Sequence, residues 1–221
     1  MLHGAALFPR RIGVADDEQL ARWLTENDIT IFHSVASYFR VFADYVEAQQ
    51  KRLHSSLRLV ILGGERVLKS DVDAFFRLCP KDCRLFTAIG STETGTICYL
   101  PFEYLRSQTE PIVPVGSPVD GMDVQIVDDQ WRPVRPGQPG QILVRSEFIS
   151  PGYWKAESSS FRRDKSNPEV IEFLSQDLGQ FGDDGILRHR GRSDNRLKIN
   201  GYLVNLGEVE SVLLTHAAVD D

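Results

Sequence analysis

The first fifty residues alternate between helical and extended patterns of apolar side chains. Residues 17–27 place their apolar side chains on one helical stripe, which predicts a helix with Asp16 as its N-cap. Residues 29–33, ITIFH, predict a strand. Ser34 is expected to cap a second helix that runs from 35 to about 50.

The same alternation continues to the end of the first hundred residues. Residues 57–63, LRLVILG, form a nearly continuous apolar run, which is typical of a strand buried on both faces. Ser70 is expected to cap a helix over 71–79, and an apolar, β-branched strand begins at 84. Strands that alternate with helices in this way predict a mostly parallel sheet with right-handed crossovers.

The pattern of predicted elements changes near residue 110. Short strand patterns such as MDVQIVD (122–128) and QILVRS (141–146) are separated by the turn clusters 135–140 and 182–185, with no helical pattern between them. This spacing predicts a small antiparallel unit that resembles a β-barrel. The fold class is therefore α/β, with the mostly parallel sheet and its helices first and the antiparallel unit second.

Two further segments complete the organisation. Residues 156–168 are polar and are expected to form a mobile loop. Residues 196–216 predict a short strand, a glycine turn, a second short strand and an amphipathic helix, the start of a small α+β domain. The predicted division is therefore 1–110, 111–192 and 193–221.

Composition and charge restrict the function. The chain is 42% apolar and 25% charged, as in ordinary globular proteins, and its 25 basic against 31 acidic residues give a net charge of −6. This balance argues against a general binder of nucleic acid or anionic membranes. No apolar run approaches the roughly 18 residues of a membrane span. We expect a cytoplasmic protein whose three cysteines, Cys79, Cys83 and Cys98, are reduced and structural.

Candidate chemistry follows two of the predicted strands. Gly63-Gly64-Glu65 ends one strand, and Gly90-Ser91-Thr92-Glu93 ends the next. If these strands are neighbours, both loops face one crevice at the carboxyl edge of the sheet. The Thr92 hydroxyl suits a phosphate, and the Glu93 carboxylate suits Mg²⁺. Taken alone, both loops could equally be ordinary turns.

Four motifs in one order make the interpretation more specific. They are LVILGGE (59–65), AIGSTETG (88–95), GQILVRSEFISPGYW (140–154) and the long run from SQDLGQF to NLGEVE (175–210). Together the chain resembles the adenylate-forming synthetases, which include acyl-CoA synthetases, luciferase and the adenylation domains of nonribosomal peptide synthetases.

The resemblance implies a reaction and a set of ligands. Members of this family use ATP and Mg²⁺ to convert a carboxylic acid to an acyl adenylate. They pass the acyl group to a thiol of coenzyme A or of a carrier protein's phosphopantetheine. In this chain Thr92 would contact the α-phosphate and Glu93 would hold Mg²⁺. The adenine would lie against the backbone of Gly63, Gly64 and Glu65.

The last motif implies further roles. Asp177 would accept both ribose hydroxyls, and Arg192 would also reach the ribose. Asp194 would be the hinge about which a small C-terminal domain rotates, and Lys198 and Gly201 would guide the pantetheine arm. Simpler interpretations stay open: Asp177 could be a turn cap, residues 191–198 a solvated charged turn, and residues 152–154 aromatic packing alone.

The chain also departs from the family pattern. Within the nucleotide-binding segment Ile89, next to Gly90, replaces the aromatic residue that stacks on adenine. The triplet that opens the long motif reads Ser175-Gln176-Asp177, so glutamine replaces a glycine that would lie beside the ribose. Asn200 and Leu203 replace basic residues of the motif.

Two family elements have no counterpart in these residues, namely the glycine- and hydroxyl-rich phosphate loop and the C-terminal lysine. We therefore expect a fragment, or the product of a split or decayed gene, with little activity alone. The alternative is a non-catalytic module that binds or acts as a scaffold, or that a second chain completes.

The substrate is only partly constrained. His33, with no acidic residue nearby, modestly favours an aryl, acyl or hydroxy acid over an α-amino acid. The block 113–144, in contrast, resembles peptide synthetases.

Overall fold

A computed structural model describes residues 4–10, 17–53, 56–194, 196–199 and 202–213. The first half contains α1 (Asp17–Glu26), β1 (Ile31–Ser34), α2 (Ala36–Ala48), β2 (Leu59–Gly63), α3 (Lys69–Leu78), β3 (Arg84–Ser91), β4 (Gly95–Leu100), α4 (Phe102–Arg106) and β5 (Ser117–Pro118). The second half contains β6 (Asp123–Val127), β7 (Gly140–Ser146), β8 (Phe161–Arg163), β9 (Ile171–Phe181), β10 (Leu187–Arg192), β11 (Arg196–Ile199), β12 (Tyr202–Asn205) and α5 (Leu206–Leu213). This order confirms the predicted α/β class.

The first sheet has the strand order β1-β2-β3-β4-β5. Strands β1, β2 and β3 run parallel, as predicted, and each crossover is a helix. Strands β4 and β5 then run antiparallel, because β3 turns directly into β4 through a hairpin. The sheet is therefore mixed, and its parallel part comes first in the chain.

The main core lies between this sheet and its helices. Phe39, Phe42 and Phe75 are fully buried and are contributed by α2 and α3. Strand β2 alternates between buried and half-buried positions, so only one of its faces is fully covered among the described residues, not both as predicted. Apolar side chains at helical spacing thus pack on one face of the parallel strands.

The predicted helix caps at Ser34 and Ser70 are wrong. Ser34 is the last residue of β1 and donates its hydroxyl to the Val35 carbonyl, whereas Ser70 lies inside the first turn of α3. Asp71 caps α3 instead, since its Oδ2 accepts from the Leu68 N–H at 2.8 Å. The same buried carboxylate accepts two bonds from Arg40 of α2, at 2.8 and 2.9 Å. The Asp71 carboxylate therefore both caps α3 and forms the ion pair that joins the two helices.

The second sheet is antiparallel, with the order β10-β9-β7-β6 and β8 beside β9. It confirms the predicted change of rhythm, and no helix lies between α4 and α5 in the described residues. The described strands leave the sheet open and do not close a barrel. Its apolar side chains, among them Ile126, Ile142 and Phe173, pack in a second core that also contains Ile97 and Cys98 of β4.

Residues 156–168, predicted to be a loop, contain strand β8. Two ion pairs hold this polar segment to the sheet: Arg145 pairs with Asp164, and Arg162 pairs with Glu172. Arg162 also lies over the Trp131 ring, 3.9 Å from its centroid. Charged partners thus replace the apolar pattern that normally indicates a strand.

The two sheets are joined along β10. The Val115 N–H donates to the Leu187 carbonyl at 2.9 Å, and the Leu187 N–H donates to the Gly116 carbonyl at 2.8 Å. Arg188 reinforces this contact, because its guanidinium bonds Glu110 and also Asp184. Strand β10 is thereby fixed beside the antiparallel edge of the first sheet.

The last described elements agree with the predicted pattern. Strands β11 and β12 form an antiparallel hairpin, and α5 follows directly. The domain boundaries at residues 110 and 192 stay predictions. No helix in the described ranges combines the length and the apolar character that crossing a membrane requires.

Replacement of Arg40 should destabilise the fold strongly. In Arg40→Met the Asp71 carboxylate stays fully buried without a cation, so we expect a loss of about 3 kcal/mol in the free energy of unfolding. Urea denaturation measures this loss. The matched control is Lys69→Met, which breaks the partly exposed pair with Asp73 and should cost about 0.5 kcal/mol. Equal losses in the two variants would contradict the assignment.

The hairpin between β3 and β4 should tolerate a methyl group at Gly95 much better than at Gly90. A Cβ at Gly90 would lie 2.1 Å from the Gly95 carbonyl oxygen, so the strands would have to separate. A Cβ at Gly95 meets nothing within 4 Å, and only its positive φ of 66° costs about 1–2 kcal/mol. Thermal unfolding of Gly90→Ala and Gly95→Ala tests this order, and a lower midpoint for Gly95→Ala would refute it.

Candidate functional site

The two glycine-containing segments lie at the same edge of the first sheet. Strands β2 and β3 are parallel neighbours, and Gly63 pairs with Ala88. The chain leaves β2 through Gly64, whose φ of 77° is in the left-handed region that favours glycine. The expectation that the two segments face one edge is therefore confirmed.

Glu65 has a contact that the sequence did not suggest. Its Oε2 accepts a hydrogen bond from the Ser37 N–H at 3.1 Å, in the first turn of α2. A carboxylate at a helix N-terminus satisfies a free N–H and interacts favourably with the helix dipole. The side chain therefore fixes the position of the loop, while its backbone is the part to which the resemblance gives a nucleotide contact.

The polar cluster at 90–95 is a tight hairpin rather than an open loop. Thr94 is buried, and its Oγ1 accepts from the Ser91 N–H at 3.3 Å and donates to the Gly95 carbonyl at 2.9 Å. Gly90 is required by the close approach of Gly95. Thr92 is exposed at the tip, and Glu93 is half-buried. The cluster thus has a structural part and a part that can contact a ligand.

Glu93 is held by the loop that follows β7. Its Oε1 accepts from the Tyr153 hydroxyl at 2.7 Å, and its carbonyl accepts from the Ser150 N–H at 2.8 Å. Partial burial alone would raise the pKa of Glu93. The hydrogen bonds of Tyr153 and Ser91, with the charge of Arg192, outweigh burial and hold that pKa below its usual value. The hydrogen bond to Glu93 and partial burial together raise the pKa of Tyr153.

Asp177 and Arg192 face each other across the ladder between β9 and β10. Their Cα atoms are register partners, and Arg192 Nη1 lies 3.3 Å from Asp177 Oδ1. His189 Nε2 lies 3.2 Å from the same oxygen, a contact that sequence reasoning missed. Alternation along β10 alone would not have found it, because a register shift between residues 189 and 191 is what brings both side chains to Asp177.

Arg192 is shared with Asp194. Its Nε and Nη2 bond Asp194 Oδ1 and Oδ2 at 2.9 and 2.7 Å, a bidentate pair. This hydrogen bonding raises the pKa of Arg192, and it lowers the pKa of Asp194. Ser193 is tied back to Gln176 by backbone and side-chain bonds. The residue in the predicted hinge position is therefore fixed to the predicted ribose site.

Two observations relate the predicted site residues of the second sheet to those of the first. The Arg192 charge makes a small contribution to the lowered pKa of Glu93 in the hairpin. Arg66 comes just after the Gly63-Gly64 turn, and its Nη2 lies 3.4 Å from the position that a Cβ at Gly191 would occupy. Its guanidinium therefore reaches the backbone of β10. Ile89 packs against the second core, so its side chain has apolar neighbours there.

Two predicted residues are less well defined. Lys198 lies in β11, but its side chain is outside the described part of the structure. Gly201 lies outside the described residues altogether.

The carboxylate at Glu93 suits a metal ion that is bound jointly by the protein and by the phosphates of a ligand. No group of three or more histidine, cysteine, aspartate or glutamate side chains converges in the described residues. Magnesium, however, commonly binds one or two carboxylates together with substrate phosphates. Glu93, with its lowered pKa, fits that mode. The cysteines are buried free thiols, and burial raises the pKa of Cys98 to about 12.

An open hollow of about 680 Å³ lies at Tyr153, the hydrogen-bond partner of Glu93. Its lining includes Gly152, Tyr153 and Phe161. A second hollow of about 550 Å³ lies at Met122 and Phe148. The Gly63-Gly64 turn, Glu93 and Asp177 line neither of them.

Comparison with known proteins gives the family. Residues 1–154 match the family described as AMP-binding enzyme. Tyrocidine synthase 3 of Brevibacillus parabrevis is 31% identical over 227 residues, covering 100% of this chain and 3% of that protein. L-proline--[L-prolyl-carrier protein] ligase of Streptomyces coelicolor is 31% identical over 208 residues, covering 92% of this chain and 38% of that ligase.

Solved structures agree in fold. An NRPS protein containing adenylation and PCP domains superposes with a TM-score of 0.72 at 23% identity, over 91% of this chain and 41% of that chain. The anthranilate CoA ligase in complex with anthranoyl-AMP gives a TM-score of 0.67 at 28% identity, over 96% of this chain and 39% of that one.

This chain therefore spans about two fifths of these structures. The family match covers more than half of the residues of this chain. The fold agrees with the adenylation and PCP protein over about nine tenths of this chain. The chain belongs to the AMP-binding enzymes, the family of adenylate-forming ligases.

Proposed function

We propose that this chain supplies part of the active site of an enzyme that activates a carboxylic acid with ATP. A carboxylate oxygen attacks the α-phosphorus, the bond to the β-phosphate oxygen breaks, and acyl adenylate and pyrophosphate form. The observation that carries the proposal is the Asp177–Arg192 pair, in which a carboxylate and a guanidinium lie 3.3 Å apart on the paired strands β9 and β10.

The nucleotide would lie between the two sheets. The backbone at Gly63, Gly64 and Glu65 would line the adenine, together with the segment Ile89-Gly90. Gly64 has no Cβ and an exposed position, so a flat ring can approach closely. Apolar contact with Ile89 would replace aromatic stacking, which favours weaker adenine binding than in relatives with an aromatic residue there.

Asp177 and Arg192 would recognise the ribose. The Asp177 carboxylate would accept the two ribose hydroxyls, while His189 and Arg192 hold one of its oxygens. Such hydrogen bonds to a charged group contribute about 1.5–3 kcal/mol each.

The phosphates would face the hairpin tip. The exposed Thr92 hydroxyl would donate to the α-phosphate, and Glu93 would hold Mg²⁺. When bound there, the ion neutralises phosphate charge. Glu93 suits this role because its lowered pKa keeps it ionised.

A thiol would accept the acyl group in a second step, in which the sulfur attacks the acyl carbon and AMP leaves. Coenzyme A and a carrier protein's phosphopantetheine are both compatible with this chemistry. Names of relatives favour a carrier protein, since one is a prolyl-carrier protein ligase and another contains adenylation and PCP domains. Asp194 would be the hinge, and Lys198 and Gly201 would guide the pantetheine arm.

The remaining phosphate contacts would come from other residues. The 221 residues contain no glycine- and hydroxyl-rich phosphate loop, so we propose that a longer protein or a second chain supplies it. The buried free thiols are consistent with the cytoplasm, where ATP and reduced thiols are both present.

Nucleotide binding tests the ribose assignment. We expect Asp177→Asn to weaken ATP binding about tenfold or more, because a charged acceptor for two hydroxyls is lost. Calorimetry with ATP and with 2′,3′-dideoxy-ATP measures the effect, and the dideoxy nucleotide should bind both proteins alike. Asp128→Asn is the control, since Asp128 bonds only its own turn at 128–132 in the described structure. Equal ATP affinity of Asp177→Asn and the wild type would show that Asp177 does not bind the ribose.

Pyrophosphate exchange tests the need for further residues. The 221-residue polypeptide alone should exchange pyrophosphate into ATP far more slowly than a complete adenylate-forming ligase does, with any carboxylic acid of a mixed panel. The polypeptide alone lacks the donors of the phosphate loop, and the loss of such donors raises the activation free energy by several kcal/mol in sites of this kind. Rates like those of a complete ligase would contradict this expectation.

A further inference from the structure

Tyr153 connects the second sheet to the carboxylate that the proposed function assigns to magnesium. Its hydroxyl donates to Glu93 Oε1 at 2.7 Å, across 60 residues of sequence. We propose that Tyr153 is a positioning residue that orients Glu93 and so increases the contribution of Mg²⁺ to nucleotide binding. This inference rests on the proposed function, because it takes Glu93 as the metal ligand.

The ring of Tyr153 is held in place by the second sheet. It meets Phe161 of β8 edge-to-face, with 5.3 Å between the ring centroids, and Phe161 packs on Phe173 of β9 at 4.7 Å. Tyr153 also forms an isolated bridge with Ala156. One ring contact and one backbone bridge thus support Tyr153, and the hydrogen bond to Glu93 sets the direction of its hydroxyl.

The loop before Tyr153 is equally well tied. Ser150 donates its N–H to the Glu93 carbonyl at 2.8 Å, and its hydroxyl bonds the carbonyl of Gly152 at 2.8 Å. The backbone and the side chain of Glu93 are therefore both held by residues 150–153. A loop that only packed against the hairpin would not need the bond from Tyr153 to the Glu93 side chain.

The chemistry of the carboxylate permits a metal and a hydroxyl together. Two carboxylate oxygens offer about four lone-pair positions, so a hydroxyl on Oε1 leaves room for a metal on Oε2. Partners of metal-binding carboxylates fix the orientation of the ligand, and their loss typically lowers metal affinity by about 10–100-fold. The aromatic-packing interpretation of residues 152–154, in contrast, gives the hydroxyl no role.

The experiment compares ATP affinity with Mg²⁺ and with EDTA. Calorimetry is carried out on the wild type, on Tyr153→Phe and on Tyr104→Phe. The control loses a hydroxyl that lies 3.4 Å from Asp184, away from the site. We expect the gain in ATP affinity that Mg²⁺ provides to fall about tenfold in Tyr153→Phe alone. Affinity in EDTA and the thermal midpoint should stay unchanged, because the ring still packs on Phe161.

The comparison of the two conditions is a readout that packing alone would not change. A disturbed ring would weaken ATP binding in EDTA and in Mg²⁺ alike, whereas a Glu93 side chain that has lost its hydroxyl partner would weaken only the Mg²⁺-dependent gain.

The possible outcomes separate the two proposals. Glu93→Gln should abolish the Mg²⁺-dependent gain. If it does and Tyr153→Phe has an unchanged or larger gain, the role of Tyr153 is refuted while Glu93 remains the metal ligand. If the wild type and Glu93→Gln respond to Mg²⁺ alike, or ATP does not bind, the proposed function fails and this inference fails with it.

Discussion

The contact between β10 and residues 115–116 is the constraint on which the site depends. Gly116 has a φ of 98°, and a Cβ there would lie 1.8 Å from the Tyr99 carbonyl oxygen, so only glycine allows the chain to pass between the two sheets. Backbone hydrogen bonds to Leu187 then fix β10 on the other side. Asp177 is a register neighbour of this strand, whereas Gly63 and Glu93 belong to the first sheet. This closely packed crossing therefore holds the strand that carries Arg192 beside the first sheet.

In the hairpin at 90–95, some polar groups stabilise the turn and others stay accessible to a ligand. Thr94 is buried and closes the turn, and Gly90 permits the strands to approach. Thr92 remains exposed, and Glu93 is anchored by its own carbonyl. A free loop with the same residues would lose conformational entropy of about 1–2 kcal/mol per residue on binding a ligand. The preformed turn removes much of that cost.

Local patterns predicted the alternation of strands and helices and the shared edge of β2 and β3, because each depends on periodicity within about ten residues. Local patterns failed where a residue far away in the sequence determines the structure. Asp71 replaces Ser70 as the cap because Arg40, thirty-one positions away, makes its burial favourable. Strand β8 has few apolar residues and is held by Glu172 and Arg145. Aromatic packing was one open interpretation of residues 152–154, and local patterns could not show the hydroxyl contact of Tyr153 because its partner Glu93 is 60 residues earlier.

Arg192 couples the proposed ribose site to the proposed hinge through unequal contacts. Two short bonds join it to Asp194, and one longer bond of 3.3 Å joins it to Asp177. A bidentate pair constrains the planar guanidinium more strongly than a single contact does. Arg192 is also a register partner of Asp177, and Ser193 is bonded to Gln176, so the backbone up to residue 193 is held on the ladder of β9 and β10. A rotation at the proposed hinge would therefore have to change the bonds between Arg192 and Asp194, while His189 and the strand pairing would keep the proposed ribose acceptor in place.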